Sequence, residues 1–319
     1  MPLTRHRFRR ILAWTPLVLL IVCAALVVAY WAPDRPVAEL SARWAPPPSQ
    51  FIAIEGMQVH LRDEGPREDP SPILLLHGTS ASLHTWEGWA QSLRGQHRVI
   101  SVDLPGFGLT GPFPDGDYSL PHYTRFLGEL LDALGVQHAV LAGNSFGGQV
   151  AIEMALDQPA RVDKLILVDA LAYPSDPASI PIGFRIARMP VLNKIMQYVL
   201  PRQVIEDSLH DVYGDPSKVT PALVDRYFDM SVRAGNRASL PPRFNYLPTE
   251  ASAARIPQVG EPTLILWGAR DRLIPPENGR HLHRDIAGSQ LVMFPGLGHV
   301  PQEEDPAVTV AAAIEFLSR

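Results

Sequence analysis

The chain has 319 residues, 46% hydrophobic and 19% charged, enough for one large mixed domain with a buried core and an insertion. Its formal charge is −5, yet Arg5, Arg7, Arg9 and Arg10 crowd the first ten residues, so the rest of the chain is more acidic still. That balance excludes a nucleic-acid partner held by net positive charge, and the single cysteine, Cys23, excludes an intramolecular disulfide.

Residues 1–10 form a basic tail, and residues 11–32 carry no charge at all. As a helix those residues extend about 33 Å, the thickness of a bilayer's hydrocarbon core. Trp14 near one end and Tyr30-Trp31 near the other stand where interfacial aromatics settle. The cations on the N-terminal side predict a cytoplasmic N-terminus. The rest of the chain then lies outside the inner (cytoplasmic) membrane, in the periplasm of a Gram-negative cell. A cleaved signal peptide fits less well, because its apolar region runs about 7–15 residues and Val28–Ala32 lacks the paired small residues of a cleavage site. Residues 33–50 read as a juxtamembrane linker, with a short amphipathic helix over Val37–Trp44 and a stiff Pro46-Pro47-Pro48 spacer.

From Phe51 the texture changes. Phe51–Ile54 and Met57–Leu61 flank Glu55-Gly56 and predict a hairpin. Ile73–Leu76, Val99–Val102, Ala139–Leu141, Leu165–Val168 and Thr263–Trp267 are short apolar runs of buried-strand type. Helical stretches at Tyr123–Leu134, Phe146–Leu156 and Ala307–Leu317 lie between or after them, the alternation of a mostly parallel sheet. The alternation breaks over residues 171–251, where Ile182–Met189, Val191–Leu200 and Pro221–Ala234 read as helical patches. Residues 51–170 and 252–319 are therefore expected to form an α/β core, with helices on both faces, and residues 171–251 a helical cap over the strand ends where ligands bind.

Gly143-Asn144-Ser145-Phe146-Gly147 follows an apolar strand and opens a helical run. A serine on such a tight strand-to-helix turn needs small neighbours, and the helix start brings backbone N–H groups beside it. Ser145 is the expected nucleophile. A serine hydroxyl attacks only when a base takes its proton, and of eleven histidines His299 sits in a glycine-rich loop, Gly296-Leu297-Gly298-His299, after the apolar run Leu291–Phe294. His122, His138, His210, His281 and His283 read as surface residues. Asp271, after Thr263–Trp267, is the expected acid that orients His299, with Asp169 as its rival. The oxyanion formed on attack needs fixed donors, expected from the N–H groups of Phe146 and Thr79, with Ser80 second for the latter. His77 and Asp103 read as residues that order their loops. Val191, Ile195 and Met196 are candidates for lining an acyl pocket.

The run His77-Gly78, Asp103-x-Pro105-Gly106-x-Gly108, Gly143-x-Ser145-x-Gly147-Gly148, Asp271 and Gly298-His299 resembles the capped α/β-hydrolase family across residues 51–319, the cap excepted. The resemblance implies an α/β-hydrolase fold preceded by one transmembrane helix, and a serine enzyme of the esterase, lipase or C–C hydrolase branches. An aspartate at the Ser145 position would instead imply dehalogenases or epoxide hydrolases. An anchor on such a domain resembles the membrane-bound monoacylglycerol lipases and bacterial phospholipases A. The expectation is a membrane-anchored carboxylic-ester hydrolase without metal or other cofactor, whose partners are a lipid or other ester and the bilayer, with self-association left open. A C–C bond hydrolase using the same triad, or a catalytically silent binding protein, are the alternatives.

Overall fold

The computed structural model of the chain describes residues 3–174, 189 and 192–319, with backbone alone for residues 3–13, Pro16 and Cys23. One eight-stranded sheet organises it: β1 (Ser49–Ile54), β2 (Met57–Glu64), β3 (Ile73–Leu76), β4 (Val99–Val102), β5 (Ala139–Asn144), β6 (Val162–Val168), β7 (Thr263–Gly268) and β8 (Gln290–Phe294). Their spatial order is β1-β2-β4-β3-β5-β6-β7-β8. β2 runs antiparallel to β1 and β4, and every later pairing is parallel. Glu55 (φ 48°) and Gly56 (φ 77°) make the expected hairpin, with both turn residues in the left-handed region that a right-twisted two-residue loop demands.

The helices are α1 (Leu3–Ala29), α2 (Val37–Trp44), α3 (Glu87–Leu93), α4 (Leu120–Ala133), α5 (Phe146–Asp157), α6 (Leu192–Met196), α7 (Arg202–Val212), α8 (Pro221–Ser231), α9 (Asn236–Arg243), α10 (Glu250–Ala253), α11 (Glu277–Asp285), α12 (Pro301–Glu304) and α13 (Pro306–Leu317). The central strands are mostly apolar on both faces, β3 wholly so, because both sheet faces are covered. Leu74 and Leu76 of β3 point into a core with α4, α5 and α11, whereas Ile73 and Leu75 point into a second core with α3 and α13. In that second layer Trp86 and Trp89 meet edge-on at 5.0 Å, and the Trp89 indole N–H donates to Thr309 Oγ1 at 2.9 Å. α6–α10, inserted between β6 and β7, supply the helices of the expected cap; the patch Ile182–Met189, Met189 excepted, lies outside the described residues.

The linker carries the expected helix at Val37–Trp44 and docks on the rest of the chain. The Ala32 and Leu200 N–H groups donate to the Tyr198 and Tyr30 carbonyls (2.8 and 3.1 Å), and Trp31 stacks on Tyr198. Arg35 pairs with Asp229, and Asp34 with Arg237, both at 2.6 Å. α2 buries Leu40 against Leu109 and Met230, and the strand after it begins at Ser49, inside the expected linker. One expectation is corrected, that of His122 as a surface residue: it is buried, stacked 3.9 Å from Phe113 and bonded to Glu55 at 2.9 Å. Among the described residues no helix is long and apolar enough to cross a membrane.

The docking of α2 predicts a measurable cost. Leu40 is 1% exposed, so Leu40→Ala should destabilise the domain by roughly 2–4 kcal/mol through lost contact and the cavity left behind. Thermal unfolding followed by near-ultraviolet circular dichroism checks this; a loss below about 0.5 kcal/mol would mean that the segment only drapes over the core.

Candidate active site

β5 ends at Asn144 and α5 begins at Phe146, so Ser145 alone makes the turn, at φ 55° and ψ −117°. The glycines around it are dictated by contact: a Cβ on Gly143 would strike the Gly147 carbonyl, and one on Gly147 would strike that of Leu76. Gly148 is needed as well, since its Cβ would collide with Ala170. The Ser145 N–H donates to the Val168 carbonyl at 3.0 Å, and the Ser145 carbonyl accepts from the Leu171 N–H at 2.9 Å, which pins the strained turn against the end of β6 and the segment after it. Such strain persists only where surrounding bonds over-determine it.

His299 follows β8 on a loop held from three sides. Its N–H donates to Val212 of α7 at 2.7 Å, and its carbonyl accepts from Asn144 Nδ2 at 3.0 Å. Glu304 receives the Gly298, Gly214 and Asp215 N–H groups within 2.9 Å, clipping the histidine loop to the end of α7. Asp271 accepts from His299 Nδ1 at 2.7 Å through Oδ2, while its Oδ1 takes the Leu273 and Ile274 N–H groups at 2.7 and 2.9 Å. The imidazole is thereby oriented with Nδ1 protonated, leaving Nε2 free to accept.

The rival acid is present too, in another role. Asp169 is fully buried at the end of β6, and its carboxyl accepts from the Gly268 N–H at 3.0 Å. Ligand-type atoms of Asp169, Asp271 and His299 all lie within 4.8 Å of one another. Burial, then the charge of Asp271, hold the Asp169 carboxyl well above the ordinary carboxylate range. Asp169 thus stands beside Asp271, while the bond to the histidine belongs to Asp271.

The loop after β3 carries Thr79 and Ser80 beside the nucleophile, and Gly78 comes so near that a Cβ there would sit 3.1 Å from that of Ser145. Phe146 is the first residue of α5, where an N–H has no partner within the helix. His77 and Asp103 order these loops. His77 Nε2 accepts from the Leu104 N–H at 3.0 Å, its Nδ1–H donates to the Gly78 carbonyl at 2.7 Å, and burial lowers its pKa, so it stays neutral. Asp103 is buried, which alone would raise its pKa, but contact with His60 at 2.7 Å carries the carboxyl well below the usual range. It also receives the Leu83 and Leu109 N–H groups, both at 2.7 Å.

Ser145 and His299 open on a cavity of about 210 Å³ between the sheet and α6–α9, walled largely by apolar side chains such as Leu200, Ile205, Leu209, Leu240 and Ile274. Met196 lines it. Ile195 does not: one position further round α6, it is 47% exposed, and its place in the acyl pocket is withdrawn. Val191 lies outside the described residues. Sequence reasoning missed Arg243, which reaches the cavity from the end of α9; nothing local in Leu240-Pro241-Pro242-Arg243 signals it.

A family model described as the alpha/beta hydrolase fold matches residues 71–306. A Mycobacterium tuberculosis protein of uncharacterised function is 31% identical over 310 residues, covering 89% of this chain and 84% of the relative. The 2-hydroxy-6-oxo-2,4-heptadienoate hydrolase of Pseudomonas putida is 29% identical over 277 residues, covering 84% of this chain and 96% of that one. Among solved structures, a membrane phospholipase A described as a bacterial virulence factor superposes with a TM-score of 0.72 at 25% identity, covering 100% of this chain and 98% of that one. The chain belongs to the alpha/beta hydrolase fold family.

Proposed function

We propose that the protein is a serine carboxylic-ester hydrolase acting on lipid or lysolipid esters at a membrane surface. One observation carries this reading: a strained serine and a His–Asp pair bonded at 2.7 Å converge on an apolar cavity. Ser145 Oγ attacks the ester carbonyl while His299 Nε2 takes its proton, and Asp271 stabilises the resulting imidazolium. The N–H groups of Phe146 and Thr79 hold the oxyanion. His299 then protonates the departing alcohol, and a water deprotonated by His299 releases the acid from Ser145. A chromogenic short-chain ester tests the reaction class directly: the purified chain should hydrolyse it. The similarity to the Pseudomonas putida hydrolase supports a second reading, cleavage of a C–C bond beside a ketone. Turnover of such a diketone with no turnover of any ester would favour it.

The bilayer enters the proposal through α1. Among its described residues Leu17, Leu19, Leu20, Ile21 and Val28 are each exposed by 44% or more, an apolar surface that contact with a bilayer would cover. Anchored there with its N-terminus in the cytoplasm, the chain should sediment with inner membranes and be released by detergent but not by high salt. Release by salt would limit the contact to the surface.

Met196 and Ile195 give the acyl-chain reading an internal control. Met196→Gln should shift selectivity against long acyl chains by about tenfold, the worth of a few methylene contacts. Ile195→Gln, outside the cavity, should leave the ratio of long- to short-chain turnover unchanged. Equal effects of the two substitutions would place the acyl chain elsewhere.

A further inference from the structure

Two arginines of the cap line the catalytic cavity. Arg237 is neutralised by Asp34 at 2.6 Å. Arg243 has no carboxylate within ion-pair distance among the described residues, although its side chain is among the most buried in the molecule, 1% exposed. Its guanidinium stacks 3.9 Å from the Phe146 ring, and Nη2 donates weakly to Thr79 Oγ1 at 3.3 Å. Nε and Nη1 are buried without a hydrogen-bond partner. Burial lowers its pKa to about 10, still leaving the group charged at neutral pH.

An unpaired buried cation is costly, because each donor and the charge itself have given up water. Stacking on Phe146 recovers part of that loss. None of the other described wall residues carries a carboxylate, and the two enclosed donors remain unpaired on a residue that lines the cavity. They sit beside Phe146 and Thr79, the residues flanking the proposed oxyanion site. We propose that Arg243 is a substrate-binding residue, and that the substrate carries an anionic group, a carboxylate or a phosphate, within a few atoms of the scissile carbonyl. The inference rests on the hydrolase reading and narrows its substrate to acidic amphiphiles: the apolar wall takes a chain, and the guanidinium fork takes the charge.

The anion could belong to either half of the ester, and matched substrates separate the two. For the acyl half, 4-nitrophenyl pentanoate is compared with mono-4-nitrophenyl glutarate; for the alcohol half, phenyl pentanoate with 4-(pentanoyloxy)benzoate. In the full-length chain in detergent, Arg243→Met should lower the anionic-to-neutral ratio of kcat/KM by about 30-fold in one pair, the worth of a charge-assisted bond. Arg243→Lys, which keeps the charge but not the fork, should lose less and serves in place of the methionine variant if that variant does not fold. A ratio unmoved in both pairs overturns the anion site.

Binding without turnover provides the separate readout. Glutarate should bind the Ser145→Ala chain in calorimetry and bind the Ser145→Ala, Arg243→Met chain about 30-fold more weakly. Equal binding overturns the anion site even when esters are hydrolysed. Failure to hydrolyse any ester, with glutarate binding still dependent on Arg243, overturns the ester reading and leaves the anion site standing.

Discussion

Ser145→Ala should lower kcat for a chromogenic ester by about 10⁴-fold or more, the scale on which hydrolases lose their nucleophile. Alanine tolerates φ 55° no worse than serine does, and the flanking bonds from the Ser145 N–H and carbonyl are backbone bonds that the substitution keeps. The fold should therefore stand, with near-ultraviolet circular dichroism unchanged. Whatever rate remains would come from the donors that hold the oxyanion and from binding alone. A loss under tenfold, about 1.4 kcal/mol of barrier, would move the chemistry to another residue.

Asp271→Asn should lower kcat by about 10³- to 10⁴-fold, because an amide in place of Oδ2 no longer holds His299 with its proton on Nδ1. Asp169→Asn should cost less than about tenfold: an amide donates to Asp271 as a protonated carboxyl does, and its oxygen still accepts from Gly268. The same pair of variants carries a pH signature. Asp169 has a folded pKa raised above its unfolded value of about 4. The stability that this group contributes is full below that value and is lost as the pH rises through the raised folded value. Asp169→Asn has no such loss, so its melting temperature relative to wild type should be higher at pH 8 than at pH 4. Reversal of the two kinetic losses would make Asp169 the orienting acid.

The sequence made the site legible wherever chemistry forces local composition. The glycines about Ser145 are there because a Cβ at Gly143, Gly147 or Gly148 meets backbone or Ala170, so the pattern is readable without coordinates. β3 and β4 match the expected residues because a short, buried, largely apolar run leaves a strand little room to shift. β5 runs on to Asn144, three residues beyond its apolar run, since Gly143 and Asn144 pair with Leu167 and Val168 whatever their own preference. α11 was missed: in Glu277–Asp285 only Gly279 and Leu282 are buried, too few to show a helical period. α9 contains Pro241 and Pro242, which read as breakers; they sit in its last turn, where the helix passes directly into a 3₁₀ turn at Phe244–Tyr246.

What stayed hidden is tertiary. Neighbouring residues of α6 diverge by about 100°, so Met196 meets the cavity and Ile195 meets solvent, a distinction that depends on how the helix is rotated. Arg243 has no local mark because its meaning lies in what it fails to meet. The linker's docking rests on pairs some 200 residues apart, such as Asp34 with Arg237, and polar residues after an apolar segment carry no sign of such partners.

The central claim is that Ser145 is a nucleophile activated by His299. A fluorophosphonate probe incubated with the full-length chain, followed by mass spectrometry of its peptides, tests that most directly. The account predicts a single adduct on Ser145, lost in Ser145→Ala and formed at least about a hundredfold more slowly in His299→Ala, where no base remains to take the hydroxyl proton. Persistent ester hydrolysis with Ser145 unmodified, or an adduct formed just as fast without His299, would contradict it.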